Sequence, residues 1–179
     1  MKPLESLIET TLLWKQPKWA VEHYELWAGE DQLGELYWTK CLSDEAVARC
    51  GGLTWTLDRR GFFRDRVVAV EAGSEALAAS FTFEWLKDGD LVLADGRSFR
   101  WHRTKVFGNA WALVDKAGGA VFEMHLGMNW FKREAIVRLW PDVQRMSGLG
   151  LLLCLGLYLG ICTEQDAAGA AVAATAACV

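Results

Sequence analysis

From Trp19 onward, apolar residues recur at every second position in short runs broken by Gly, Asp and Asn. Period-two alternation marks a strand with one buried face. LTWTLDR, after Gly51-Gly52, is a clear case: Trp55 and Leu57 take one face, Thr54, Thr56 and Asp58 the other. Before it come WAVEHYELWA, the polar turn Gly29–Gln32, LGELYWTK and AVARC. After it, GFFRDR reads as a connector. RVVAVEA and ALAASFTFEW flank the turn Gly73-Ser74-Glu75. LVLA and RSFRWHRT flank Asp95-Gly96, which predicts a type I′ hairpin turn. NAWALVD and AVFEMHL flank Lys116–Gly119, and EAIVRLW closes at Pro141. About eleven or twelve strands at this spacing predict an all-β sandwich or barrel. Residues 4–14 fit either a short helix or a first edge strand.

The alternation stops after Arg145. LGLLLCLGLYLGIC, residues 149–162, is apolar all round, with Leu149, Leu152, Leu153, Leu155 and Leu159 among its large residues and a Gly156/Gly160 pair. Such a helix must be enclosed by protein or by lipid. The uncharged run Met146–Cys162 is at the low edge of spanning length. Counting the Ala-rich tail would put Glu164 and Asp166 in the bilayer, at about 2.5–3.5 kcal/mol each. A barrel of eleven or twelve strands, in turn, has a lumen to fill, and a helix with side chains is about 10–12 Å across. Burial of the helix's large apolar side chains contributes on the order of 15–25 kcal/mol gross. The predicted role is therefore barrel core, with the glycines letting the helix pass close to bulky wall residues. A transmembrane helix over 146–162 is the alternative. Residues 1–18 read as an N-terminal segment, 19–165 as one barrel-plus-helix domain, and 166–179 as a tail that extends the helix or is disordered.

Composition adds three constraints. Ten tryptophans in 179 residues suit a wide aromatic-lined interior. A net charge of −4 argues against a general nucleic-acid binder. Five cysteines (Cys41, Cys50, Cys154, Cys162, Cys178) without a CxxC pair suit reduced, packed thiols better than a disulfide framework or zinc site. MKPLESLIETTLLW is not a signal peptide, because Glu5 and Glu9 interrupt it. The expected location is cytoplasmic, at most peripheral to a membrane.

Short strands closed by one wholly apolar C-terminal helix resemble the tubby C-terminal-like superfamily, which includes tubby proteins, phospholipid scramblases and LURP-one-related proteins. The resemblance rests on TWTLDRRGFFRDRVVAVEAGSE, LVLADGRSFRWHRTKVFGNAWALVDKAGGAV and LLLCLGLYLG, and is greatest with small bacterial members. It implies a twelve-stranded closed barrel threaded by the hydrophobic helix. In tubby proteins, surface Lys and Arg bind phosphoinositides, but that lipid site has no residue-by-residue match here. Fold alone does not give function.

Catalytic signatures do not stand out. His23, His102 and His125 are not at metal spacing, and no G-x-S-x-G elbow, Walker loop or dinucleotide fingerprint occurs. No cofactor is implied. The candidate chemistry is basic: Arg59, Arg60, Arg64 and Arg66 in one connector, Arg97, Arg100, Arg103 and Lys105 along one strand, and Lys132 and Arg133 in a turn. Arginine forks match phosphate oxygens, and anionic lipid attracts 4–8 basic residues gathered in one place. A solvated barrel exterior explains the same residues more plainly. The sequence thus predicts a non-catalytic binding or scaffold module, touching anionic phospholipid head groups or a protein partner. The alternatives are a membrane-anchored protein and a small-ligand carrier using leftover lumen space.

Overall fold

The structure, a computed structural model, describes residues 11–19, 21–40, 43–62, 64–84, 88–104, 109–129 and 132–176. Twelve antiparallel strands close into a barrel in chain order, and one helix runs through it. The strands are β1 (Thr11–Lys15), β2 (His23–Ala28), β3 (Asp31–Trp38), β4 (Ala46–Cys50), β5 (Leu53–Arg60) and β6 (Arg66–Glu71), then β7 (Leu77–Phe83), β8 (Gly89–Leu93), β9 (Ser98–Arg103), β10 (Ala110–Asp115), β11 (Ala120–Asn129) and β12 (Lys132–Leu139). A 3-10 turn at Pro141–Val143 leads to helix α1 (Leu149–Ala176).

The alternation in sequence becomes alternation in burial. In β5, Trp55, Leu57 and Arg59 are buried while Thr54, Thr56 and Asp58 are half-buried. Closure comes from β1, which pairs with β12 (Trp14 opposite Ala135) and with β2 (Trp14 opposite Leu26). The barrel thus begins at Thr11, within the segment 1–18 set apart on sequence, and β1 is not an edge strand. Residues 4–10 lie outside the described residues. β2 starts at His23, not at Trp19. The buried Gln16 side chain donates to the Val21 carbonyl at 2.9 Å, fixing the chain after Pro17 as a loop. The turn after β2 shortens to Gly29-Glu30, with Gly29 at φ 57°.

The Asp95-Gly96 turn is also corrected. Gly96 has φ 87°, but Asp95 is not left-handed, so the turn is not type I′. Leu93 N–H bonds the Arg97 carbonyl at 2.8 Å, and Gly96 N–H bonds the Leu93 carbonyl at 3.0 Å. This is a three-residue loop with glycine in the left-handed position. Asp95 Oδ1 accepts the Arg97 N–H at 3.0 Å, a local bond that aspartate offers readily in turns.

Every residue from Leu149 to Thr163 is buried. The helix lies near β3, β4 and β5, where the wall offers Gly34, Ala46, Ala48 and Cys50. Bulk fills the far side: Trp101 and Trp111 stack at 6.2 Å, and Phe122 meets Trp101 edge-on at 6.3 Å. Gly156 faces this bulk. A Cβ there would come 3.0 Å from Phe122 and 3.4 Å from Trp101, and one on Gly160 3.0 Å from Leu126. The glycine pair therefore serves close approach to wall side chains. The helix continues beyond Asp166 to Ala176, well past the apolar run.

Candidate functional site

Sequential antiparallel strands place alternate connections at opposite ends of the barrel. At the inlet end lie the β8–β9 and β10–β11 turns and the linker into α1. At the outlet end lie the β1–β2, β3–β4, β5–β6, β7–β8 and β11–β12 connections, where α1 leaves. The outlet gathers Arg59, Arg60, Arg64, Arg66, Arg103, Lys132 and Arg133. Arg97 sits at the inlet and Arg100 on the outer wall between the ends. Lys105 lies outside the described residues.

The gathered cations are largely held by carboxylates. Arg59 points inward at the end of β5, its side chain 3% exposed. It grips Asp166 of α1 with two bonds of 2.9 and 2.7 Å, donates Nε–H to the Arg64 carbonyl, and stacks over Phe83 at 4.9 Å. Burial alone would lower the Arg59 pKa, but the Asp166 carboxylate reverses that and raises it. Arg133 reaches Glu164 at 3.3 Å and Tyr24 Oη at 3.3 Å. Arg60 pairs with Asp58 at 2.9 Å and Arg64 with Asp44. Lys132 donates to the Pro17 carbonyl at 2.8 Å, and the Arg103 guanidinium lies 5.4 Å from the Trp111 ring centre. Arg66 is exposed and stands opposite Arg60 in the β5–β6 register. On the wall, Arg100 bridges Glu84 at 2.7 Å and Asp90 at 3.1 Å. Arg97 is held by Asp95 at 2.7 Å. The nine described candidates thus divide into seven at one mouth and two outliers, with acids interspersed.

Two sets of residues were not legible as a site. The first is Glu164 and Asp166, which as a bare pair look like a polar stop after an apolar run. In the fold they are the counter-ions of Arg133 and Arg59, and they clamp the emerging helix. The second is apolar. Trp19 is 72% exposed, Phe62 95% and Met128 72%, each in or beside an outlet connection. Their signal was position: Phe62 belongs to GFFR, outside any strand alternation, and Trp19 follows Pro17.

Cys50, Cys154 and Cys162 are buried free thiols. A hydrogen bond with Cys50, followed by burial, raises the Cys154 pKa. Burial pushes Cys162 up to about 11. Burial with a raised pKa suits Cys154 and Cys162 to packing better than to nucleophilic attack. Among the described residues no cluster of three or more His, Cys, Asp or Glu could hold a metal ion.

Glu164 gives a pH signature. Burial raises its pKa above the usual 4.5, and Arg133 only partly offsets this. Its folded form therefore binds a proton more tightly than its unfolded form. Stability from this group is full below about pH 4.5 and declines as pH rises through the folded value. Glu164→Gln keeps an acceptor for the Asn109 amide, now at 3.1 Å from Glu164. Urea titrations at several pH values should show the variant gaining on the wild type as pH rises above the carboxylate range. A constant gap would contradict this.

No family model matches the chain, and no curated protein matches it. A crystal structure of a protein from Arabidopsis thaliana is similar in fold, with TM-score 0.54 and 16% identity over 82% of this chain and 89% of that chain. At that identity the likeness shows the fold alone: a closed twelve-stranded barrel with a C-terminal helix.

Proposed function

We propose that this protein is a non-catalytic binding module of tubby-like fold that rests the outlet end of its barrel on an anionic phospholipid surface, from the cytoplasmic side. The observation that carries this reading is the exposure of Trp19, Phe62 and Met128 at the end that also presents Lys18, Lys40, Arg60, Arg64 and Arg66 to solvent. Large apolar residues exposed together mark interaction surfaces. Aromatic side chains partition to the head-group level, and a basic residue near an anionic surface adds about 1 kcal/mol. The acids of the outlet limit that electrostatic pull, so apolar insertion carries much of the affinity.

The alternatives draw less support. Leu149–Ala168 is long and apolar enough to cross a membrane, but the barrel wall encloses its apolar part. Carriage in the lumen has little room, because the helix occupies it. Co-sedimentation with vesicles containing phosphatidylserine tests the proposal. The wild type should bind at low salt, and Trp19→Ala combined with Phe62→Ala should weaken binding about tenfold. Absence of wild-type binding to such vesicles at low salt would overturn it.

A further inference from the structure

The inlet end holds a cavity of about 720 Å³ between the β8–β9 turn, the β10–β11 turn and the linker into α1. Its walls are largely apolar: Phe99, Val121, Trp140, Val143 and Met146. Its charges are balanced, with Arg97 and Lys116 against Asp115 and Asp142. One of each sign is already engaged. Arg97 is held by Asp95, and Asp115 accepts the Gly119 N–H at 2.7 Å. Lys116 and Asp142 are exposed and make no ion pair among the described residues. The cavity therefore offers one free cation and one free carboxylate beside an apolar floor.

From this balance we infer that the inlet cavity binds a single-chain zwitterionic amphiphile of the alkylphosphocholine type. A ligand of single charge would meet one repulsive group for each attractive one, whereas a zwitterion satisfies both. Trp140 and Asp142 share one turn, closed by the Val143 N–H to the Trp140 carbonyl at 3.1 Å. An indole beside a carboxylate suits a quaternary ammonium, since the ring face attracts cations and tryptophan does so most strongly. Lys116 supplies the opposite pole for the phosphate, as a point charge. Size agrees: at about 30 Å³ per water-sized group, the cavity holds on the order of two dozen heavy atoms. That exceeds a free amino acid and suits a zwitterionic head with one medium alkyl chain. This inference does not rest on the docking proposal, because the cavity lies at the opposite end of the barrel.

The test is calorimetric titration of the full chain with dodecylphosphocholine below its micelle concentration. Dodecyl sulfate and dodecyltrimethylammonium serve as singly charged comparators. One equivalent of dodecylphosphocholine should bind, at least tenfold tighter than either comparator. Ala120→Trp, which fills the cavity, should weaken binding at least tenfold. Because that variant could disturb the wall, Lys116→Glu provides an independent surface change and should weaken binding severalfold with an unchanged thermal midpoint. No saturable binding, tighter binding of a singly charged chain, or an unaltered affinity in Lys116→Glu would overturn the inference.

Discussion

A chain ending at Ser147 is expected to be recovered only as aggregate or unfolded protein, with no near-ultraviolet dichroism from its buried tryptophans. Removing α1 opens a hole along the axis of the barrel. A cylinder about 10 Å across, rising about 1.5 Å per residue from Leu149 to Thr163, is far larger than any cavity left by a point mutation. At about 24 cal/mol per Å³ of unfilled space, its cost exceeds the roughly 5–15 kcal/mol by which domains are stable. Water could not occupy it cheaply either, because Trp14, Trp101, Trp111, Phe81 and Phe122 line the core. A membrane anchor behaves differently: its loss releases a folded domain. Size-exclusion chromatography with circular dichroism distinguishes the two outcomes, and a folded monomer would show that the barrel does not need its helix.

The second large effect is expected at the outlet clamp. Asp166→Ala leaves the Arg59 guanidinium, 3% exposed, with only the Arg64 carbonyl and the Phe83 ring among the described residues. Stranding a buried charge costs on the order of 3 kcal/mol, and Asp166 is itself 26% exposed, so the lower part of the measured range applies. For a chain of this size that lowers the melting temperature by about 10 °C. Arg59→Leu combined with Asp166→Leu removes both charges and should recover part of the loss. The shortfall from additivity in that cycle measures the pair directly. Additive effects would mean that the clamp is not formed in solution. Glu164 responds in the opposite sense, because burial already disfavours its ionised form.

The barrel was legible in the sequence because period two survives wherever one face is buried. β4, β5, β7, β8, β9 and β12 show it, whereas β6 and β10 bury three and four residues in a row. The helix was legible because no other part of the chain lacks a polar face over such a length. Long-range pairing was not legible. β1 closes the sheet against β12, but TLLWK carries three adjacent apolar residues, and nothing local says that a strand beginning near residue 132 will lie beside it. The turn at Asp95 shows the limit of dipeptide signals: Asp-Gly marked the hairpin, while loop length and backbone geometry followed from the β8–β9 register.

The basic residues show the same limit in charge. Sequence supplies the arginines but not the carboxylates brought opposite them. Arg100 finds Glu84 and Asp90 across neighbouring strands, and Arg59 finds Asp166, which lies 107 residues away. Exposed apolar residues were hidden for a related reason. Phe62 and Trp19 resemble core residues until the strands on either side are placed and the connectors are left outside.

Burial of Leu149–Thr163 makes α1 the core of the barrel. Hydrogen exchange of the full chain, prepared in aqueous buffer without detergent, tests it most directly. The amides of Leu149–Thr163 should be protected as strongly as those of β5 and β10, and should open with the same dependence on denaturant, because helix and wall unfold together. Fast exchange of those amides while the strands stay protected, or a chain that leaves the membrane fraction only with detergent, would contradict it.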